Sequence, residues 1–184
     1  MQRPKVFGVG FHKTGTKSLG AALTHLGYRT CGPMWTQQER LGANVLQQAL
    51  ALVPQYDAFQ DNPWPLLFRE LDAHFPGSRF VLTVCPTDEW IARMVRYFGT
   101  RDSPMRRWIY GAGAGRPVGN EEIYKQRFEA HNRAVQAHFR DRPDQLLVMP
   151  LIAEPQWGPL CRFLRAEEPK DRAFPHKNMT QDPG

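Results

Sequence analysis

Lys5-Val-Phe-Gly-Val-Gly-Phe-His-Lys-Thr-Gly-Thr-Lys-Ser-Leu-Gly-Ala-Ala-Leu-Thr-His-Leu-Gly27 sets the architecture. Residues 5–10 form a short apolar run ending in glycine, and Leu19, Ala22, Leu23 and Leu26 then recur at helical spacing. The segment reads as strand, tight loop and helix. Gly27 suits a left-handed helix cap, and residues 28–31 resume as a short extended piece, which makes the unit a β-α-β crossover.

Working outward, residues 38–53 carry Leu41, Val45, Leu46, Ala49, Leu50 and Val53 as one apolar stripe, with Pro54 as the stop. Residues 56–60 read as a strand and 63–75 as a region containing a helix ended by Pro76-Gly77. Arg79-Phe-Val-Leu-Thr-Val84 is the clearest strand, and its unbroken apolarity predicts burial on both faces, as in a central parallel strand covered by helices. Helices are expected over 88–97, 121–140 and 157–164, with a last strand over 145–149. The prediction is a single α/β domain over residues 1–184, three layers deep, with a parallel sheet between helices. Residues 100–120, rich in Arg and Gly, read as a mobile loop or lid, since long insertions in compact domains tend to be functional. Gly111-Ala-Gly-Ala-Gly115 follows no strand and so is not a dinucleotide fingerprint. Residues 169–184 read as an extended polar tail.

Composition narrows the function. The chain has 184 residues, 41% of them hydrophobic, enough for one buried core. No window approaches the ~20 apolar residues of a membrane span, and the start lacks the apolar core of a signal peptide, so a cytoplasmic protein is expected. Cys31, Cys85 and Cys161 are isolated, and His131 and His138 have no acidic or thiol companion at ligand spacing, so neither a disulfide framework nor a metal site is expected. Twenty-four Lys and Arg against eighteen Asp and Glu give +6, spread along the chain in a way that suits an anionic ligand without calling for nucleic acid.

Between the first strand and first helix, glycines let backbone N–H groups turn inward and the helix start adds its positive end, which together make an anion cradle. Lys13 and Lys17 add charge, and Thr14, Thr16 and Ser18 add hydroxyls. Against the nucleotide-hydrolase pattern G-x-x-x-x-G-K-[ST], Thr16 is one residue too many between Gly15 and Lys17, and no strand ends in an Asp well suited to Mg²⁺. A metal-free phosphate ligand fits better than an ATP or GTP complex.

His12-Lys-Thr-Gly-Thr-Lys-Ser-Leu19 resembles the 5′-phosphosulfate loop of the P-loop sulfotransferases, which transfer a sulfuryl group from 3′-phosphoadenosine 5′-phosphosulfate (PAPS). Asp61-Asn-Pro63, Glu70-Leu71, Phe75-Pro-Gly-Ser-Arg-Phe-Val-Leu-Thr-Val84 and Glu89-Trp90 are similar to that family in the same order. Trp157-Gly-Pro-Leu-Cys-Arg-Phe-Leu164 and Phe174-Pro-His-Lys-Asn178 resemble its closing signature. The resemblance implies a P-loop NTPase-like fold, a PAPS donor, no metal, and a small-molecule acceptor with a hydroxyl or amine. It implies that Lys13 contacts the bridging oxygen and the transferring group, and that Thr14, Gly15, Thr16, Lys17 and Ser18 hold the 5′-phosphate.

One departure stands out. The family places an arginine after the strand ending at Val84 and a serine eight residues later, both on the donor's 3′-phosphate, where this chain has Cys85 and Arg93. Arg93, with Arg96 one turn on, is expected to restore that clamp from the other position. Asp61 is the first candidate for the base that takes the acceptor's proton, because it ends a parallel strand on the loop's side of the sheet; His12 is the second. Trp64, Phe68, Tyr97, Trp108 and Tyr110 are candidates for an aromatic acceptor wall. A nucleotide or small-molecule kinase, and a nucleotide-binding relative that has lost activity, are the competing readings.

Overall fold

The computed structural model describes residues 3–39, 41–42 and 44–177. Five strands form one sheet: β1 (Val6–Gly8), β2 (Thr30–Cys31), β3 (Ala58–Phe59), β4 (Arg79–Thr83) and β5 (Leu146–Met149). All pair in parallel, in the order β2-β3-β1-β4-β5, so the glycine-rich strand is central. Among the described residues seven α-helices flank the sheet: α1 (Thr16–His25), α2 (Val45–Leu52), α3 (Phe68–His74), α4 (Thr87–Phe98), α5 (Pro104–Tyr110), α6 (Glu121–His138) and α7 (Trp157–Leu164), the last following β5.

Strand alternation divides the core into two layers. Phe7, Phe59, Phe80 and Leu82 face one side, where they pack with Ala49 of α2, Leu71 of α3, Trp90 of α4 and Phe128 of α6. Val6, Ala58 and Val81 face the other side, against Leu19 and Leu23 of α1 and Leu160 of α7. Ring stacking reinforces the first layer, with Phe7 5.0 Å from Phe59 and Trp90 4.2 Å from Phe128 between centroids. The arrangement is the three-layer α/β fold expected from the sequence, with the topology of P-loop NTPase-like proteins.

Boundaries differ where glycine and proline act. The helix expected over 38–53 begins at Val45, after Gly42 and an Asn44 at φ −120°, and tightens into a 3-10 turn at Val53–Gln55 around Pro54. Arg40 and Ala43, within that expectation, lie outside the described residues. The helix in 63–75 starts as a 3-10 turn over Trp64–Leu67 containing Pro65.

The larger difference is the segment 100–120. Its middle is α5, capped by the Ser103 side chain, which accepts from the Arg106 N–H, and begun by Pro104. Met105, Ile109, Tyr110 and Ala114 enter the core, and Tyr110 stacks on Tyr124 of α6 at 3.6 Å. The segment is thus part of the packed structure. Of the expected tail, residues 169–177 lie along α1 and α7: Phe174 packs on Trp157, and the Lys177 N–H donates to Ser18 Oγ at 2.9 Å. Residues 178–184, including Asn178, lie outside the described residues.

Candidate active site

The chain leaves β1 and turns through residues 9–15 before α1. Gly10 is pressed against β4, where an added Cβ would lie 2.5 Å from the Thr83 carbonyl oxygen, so no larger residue fits. The buried Thr14 side chain fixes the turn from inside: its hydroxyl donates to the Phe11 carbonyl at 2.5 Å and lies 2.5 Å from Thr83 Oγ1. Lys13 and Gly15 take left-handed backbone conformations, at φ 67° and 101°. A non-glycine residue held there is costly, and such strain collects at functional sites.

This geometry leaves the N–H groups of Gly15, Thr16, Lys17 and Ser18 without a backbone acceptor among the described residues, because the first helical bond runs from Leu19 N–H to Gly15 O. Free donors at a helix start form an anion-binding cradle. They open into a cavity of about 730 Å³ at the carboxyl ends of the strands. Residues following β1, β2, β3 and β5 all contribute to its wall, as expected for an open parallel sheet.

Charge in the cavity is lopsided. Lys13, Lys17, Arg93, Arg96, Arg106 and Lys177 line it, and Asp61 is the one carboxylate among its described lining residues. Burial lowers the Lys13 pKa, Lys17 and Arg93 push the same way, and Asp61 opposes them. The Lys13 ammonium rests 3.8 Å over the ring of Tyr97, a cation-π contact. Arg93 donates to Glu89 one turn back at 2.7 Å, while its Nη1 is buried with no hydrogen-bond partner among the described residues. The same guanidinium stands beside Cys85, where burial pushes the thiol pKa up and Arg93 draws it down.

Asp61 sits at φ 67° two residues after β3, and its carboxylate accepts from Thr16 Oγ1 and from the Asn62 N–H, both at 2.8 Å. His12 lies deeper. Asn62 Nδ2 donates to His12 Nδ1 at 2.8 Å, which leaves the ring proton on Nε2 to donate to Tyr110 Oη at 3.1 Å. The His12 carbonyl accepts from Trp90 Nε1 at 3.0 Å. Burial holds its imidazole at about 4.

The structure therefore brings His12, Lys13, Gly15, Thr16, Lys17, Ser18, Asp61, Arg93 and Arg96 to one cavity. Thr14 stands apart, because its hydroxyl and N–H are both spent inside the loop. Ser18 Oγ faces the strap at Lys177. Of the aromatic candidates only Tyr97 lines the cavity; Trp64 and Phe68 are core, Tyr110 supports His12 from behind, and Trp108 is partly buried against the core. Sequence reasoning missed Arg106, which sits in the supposed lid; the Ser103-Pro104 helix start was the signal that this stretch is ordered. Among the described residues no group of three or more His, Cys, Asp or Glu is arranged to hold a metal ion, and no helix is long and apolar enough to cross a membrane.

A parallel α/β sheet with free N–H groups at the helix start after its central strand is an arrangement suited to an anionic ligand, and comparison with known families gives the class of protein. A family profile described as a sulfotransferase domain matches residues 5–114 and 103–182. The chain belongs to that sulfotransferase domain family. No curated protein sequence matched it.

Proposed function

We propose that the protein transfers a sulfuryl group from PAPS to a hydroxyl or amine of a small-molecule acceptor in the cytoplasm. The observation that carries this reading is the row of N–H groups at residues 15–18, without a backbone acceptor among the described residues, on the wall of a strongly cationic cavity beside Lys13. The residues fit the donor: the cradle and Lys17 suit its 5′-phosphate, and the unpartnered Nη1 of Arg93, with Arg96 beside it, suits its 3′-phosphate. Arg93 stands beside Cys85, which supports its charge standing in for the arginine that this chain lacks.

Bound PAPS supplies the sulfuryl group. Lys13 receives the charge that develops on the bridging oxygen as its bond to sulfur breaks, and fixed N–H donors share that charge without reorganising. Asp61 takes the acceptor's proton as the new bond to sulfur forms, leaving a sulfated acceptor and adenosine 3′,5′-bisphosphate. Asp61 is the better base of the two candidates: its carboxylate lines the cavity and keeps lone pairs beyond its two bonds, while both His12 ring nitrogens are engaged. His12 acts as a pillar between the loop and α5.

Calorimetric titration with adenosine 3′,5′-bisphosphate, against ADP with and without Mg²⁺, tests the donor. Metal-independent binding that depends on the 3′-phosphate and weakens in Arg93→Ala is expected. Binding of ADP only with Mg²⁺ indicates a kinase, and silence towards both a non-catalytic relative. Asp61→Asn with undiminished turnover removes Asp61 as the base.

A further inference from the structure

Three side-chain hydroxyls stand in the loop that cradles the anion, those of Thr14, Thr16 and Ser18, and each is engaged by the protein. Thr14 Oγ1 donates to the Phe11 carbonyl at 2.5 Å, and Ser18 Oγ accepts from the Lys177 N–H at 2.9 Å. Thr16 Oγ1 donates to Asp61 Oδ2 at 2.8 Å, across 45 positions of sequence. Of the three, only Thr16 is bonded to a group that the reaction above uses. The residue is 4% exposed, so its end of the bond lies largely out of water.

A hydroxyl has one proton to donate. A phosphate group and a carboxylate both only accept near neutral pH, so Thr16 gives that proton either to the donor's 5′-phosphate or to Asp61. The balance of partners assigns it. The N–H groups of residues 15–18 have no backbone acceptor among the described residues, and with Lys17 on the same wall they supply the phosphate without the hydroxyl. Asp61 has far fewer donors: Oδ2 takes its bond from Thr16 and Oδ1 from the Asn62 N–H. One bond reaches each oxygen, so the carboxylate plane is fixed while each oxygen keeps a lone pair. Asn62 Nδ2 in turn donates to His12 Nδ1 at 2.8 Å, so residues 61 and 62 are each tied to the loop, on either side of Lys13 in sequence. The field of Asp61 bears on Lys13, and a carboxylate released from Thr16 is drawn towards that ammonium.

We propose that Thr16 is a positioning residue, its hydroxyl holding the Asp61 carboxylate in the orientation that receives the acceptor's proton while its N–H alone serves the 5′-phosphate. This rests on the donor and base readings above. The loop that binds the donor then also sets the base, and the hydroxyl contributes to turnover rather than to donor affinity.

The test separates the two uses of the proton on the full chain. Calorimetry with adenosine 3′,5′-bisphosphate reads the phosphate: Thr16→Val, which keeps the shape and the N–H, is expected to bind within about twofold of wild type, whereas a hydroxyl given to the phosphate is worth about tenfold. PAPS hydrolysis, with water as the probe acceptor, reads the base. The water oxygen bonds to sulfur as the bridging S–O bond breaks, one proton passes to Asp61, and sulfate and the bisphosphate are released and quantified by chromatography. Thr16→Val is expected to slow this reaction about tenfold, and Thr16→Ser, which restores the proton, to recover it. In an Asp61→Asn background Thr16→Val should bring no further loss, whereas a merely structural hydroxyl slows both backgrounds alike. If Thr16→Val does not fold, Thr16→Ala takes its place. An affinity loss of about tenfold in Thr16→Val, an unchanged hydrolysis rate, no recovery in Thr16→Ser, or equal losses in both backgrounds each overturns the proposal. If the wild type binds the bisphosphate without hydrolysing PAPS, the calorimetric comparison decides; if it binds none, the donor reading fails and the proposal falls with it.

Discussion

The two walls of the cavity are built on different principles. The loop wall, residues 9–18, is held by main chain and small side chains: Gly10 against Thr83, Thr14 bonded within the turn, and free N–H groups facing outward. The wall formed by α4 and α5 is held by side chains on rings, with Lys13 over Tyr97 and Arg106 over Phe98. The first is set by backbone packing, while the second depends on contacts between side chains. A transferase needs both, a fixed frame for the group transferred and a tunable surface for the acceptor.

The sharpest way to break this comparison is Lys13→Ala, which removes the ammonium that reaches from the loop wall to Tyr97 of α4. Turnover should fall about 10²- to 10³-fold. Bisphosphate affinity should move far less, and steady-state kinetics with calorimetry read both.

Next in size is a glycine exchange on each side. Gly10→Ala forces a Cβ into the backbone of β4 and should cost about 3 kcal/mol. Gly113→Ala, in the turn after α5, meets nothing within 4 Å and has no positive φ, so it should cost less than about 0.5 kcal/mol. Urea midpoints that shift equally would erase the distinction between the walls.

Acid should loosen the loop wall through two histidines. Burial lowers both His12 and His131 from 6.5 to about 4; His131 donates from Nε2 to the Val9 carbonyl and stacks 4.1 Å from Phe11. Their folded pKa lies below the unfolded one, so the unfolded chain binds more protons in that window. The stability they contribute is complete above pH 6.5 and is lost as pH falls towards 4. Each adds a slope of at most about 1.4 kcal/mol per pH unit. Denaturation of the wild type and His131→Gln at stepped pH should show the variant with roughly half the histidine-dependent slope.

The smallest expected effect sharpens the side-chain wall. Tyr97→Leu removes the ring beneath Lys13 and should lower kcat about fivefold, while Tyr97→Phe keeps the contact and the rate. Equal rates in both would show that the ring does not position the ammonium.

The same division explains what could be read from the sequence. The strand, glycine loop and amphipathic α1 are local patterns, so the fold and the cradle were legible, and the unbroken apolarity of residues 80–84 announced a strand buried on both faces. The wall formed by α4 and α5 depends on side chains that meet only after folding. Arg-Gly composition masked α5, and a hydroxyl at Thr14 was counted as a ligand donor although its spacing placed it inside the turn. His12 looked like a base because its neighbours in sequence do not include Tyr110, ninety-eight positions away.

The bond between Ser18 and Lys177 spans 159 positions. During synthesis the cradle emerges from the ribosome well ahead of the residue that closes its flank. β1 must also wait for β3 and β4 before either of its edges is paired. A growing chain therefore exposes a half-built cationic groove before its own closing segment arrives, and the flank of the site is completed only by a contact of long sequence range.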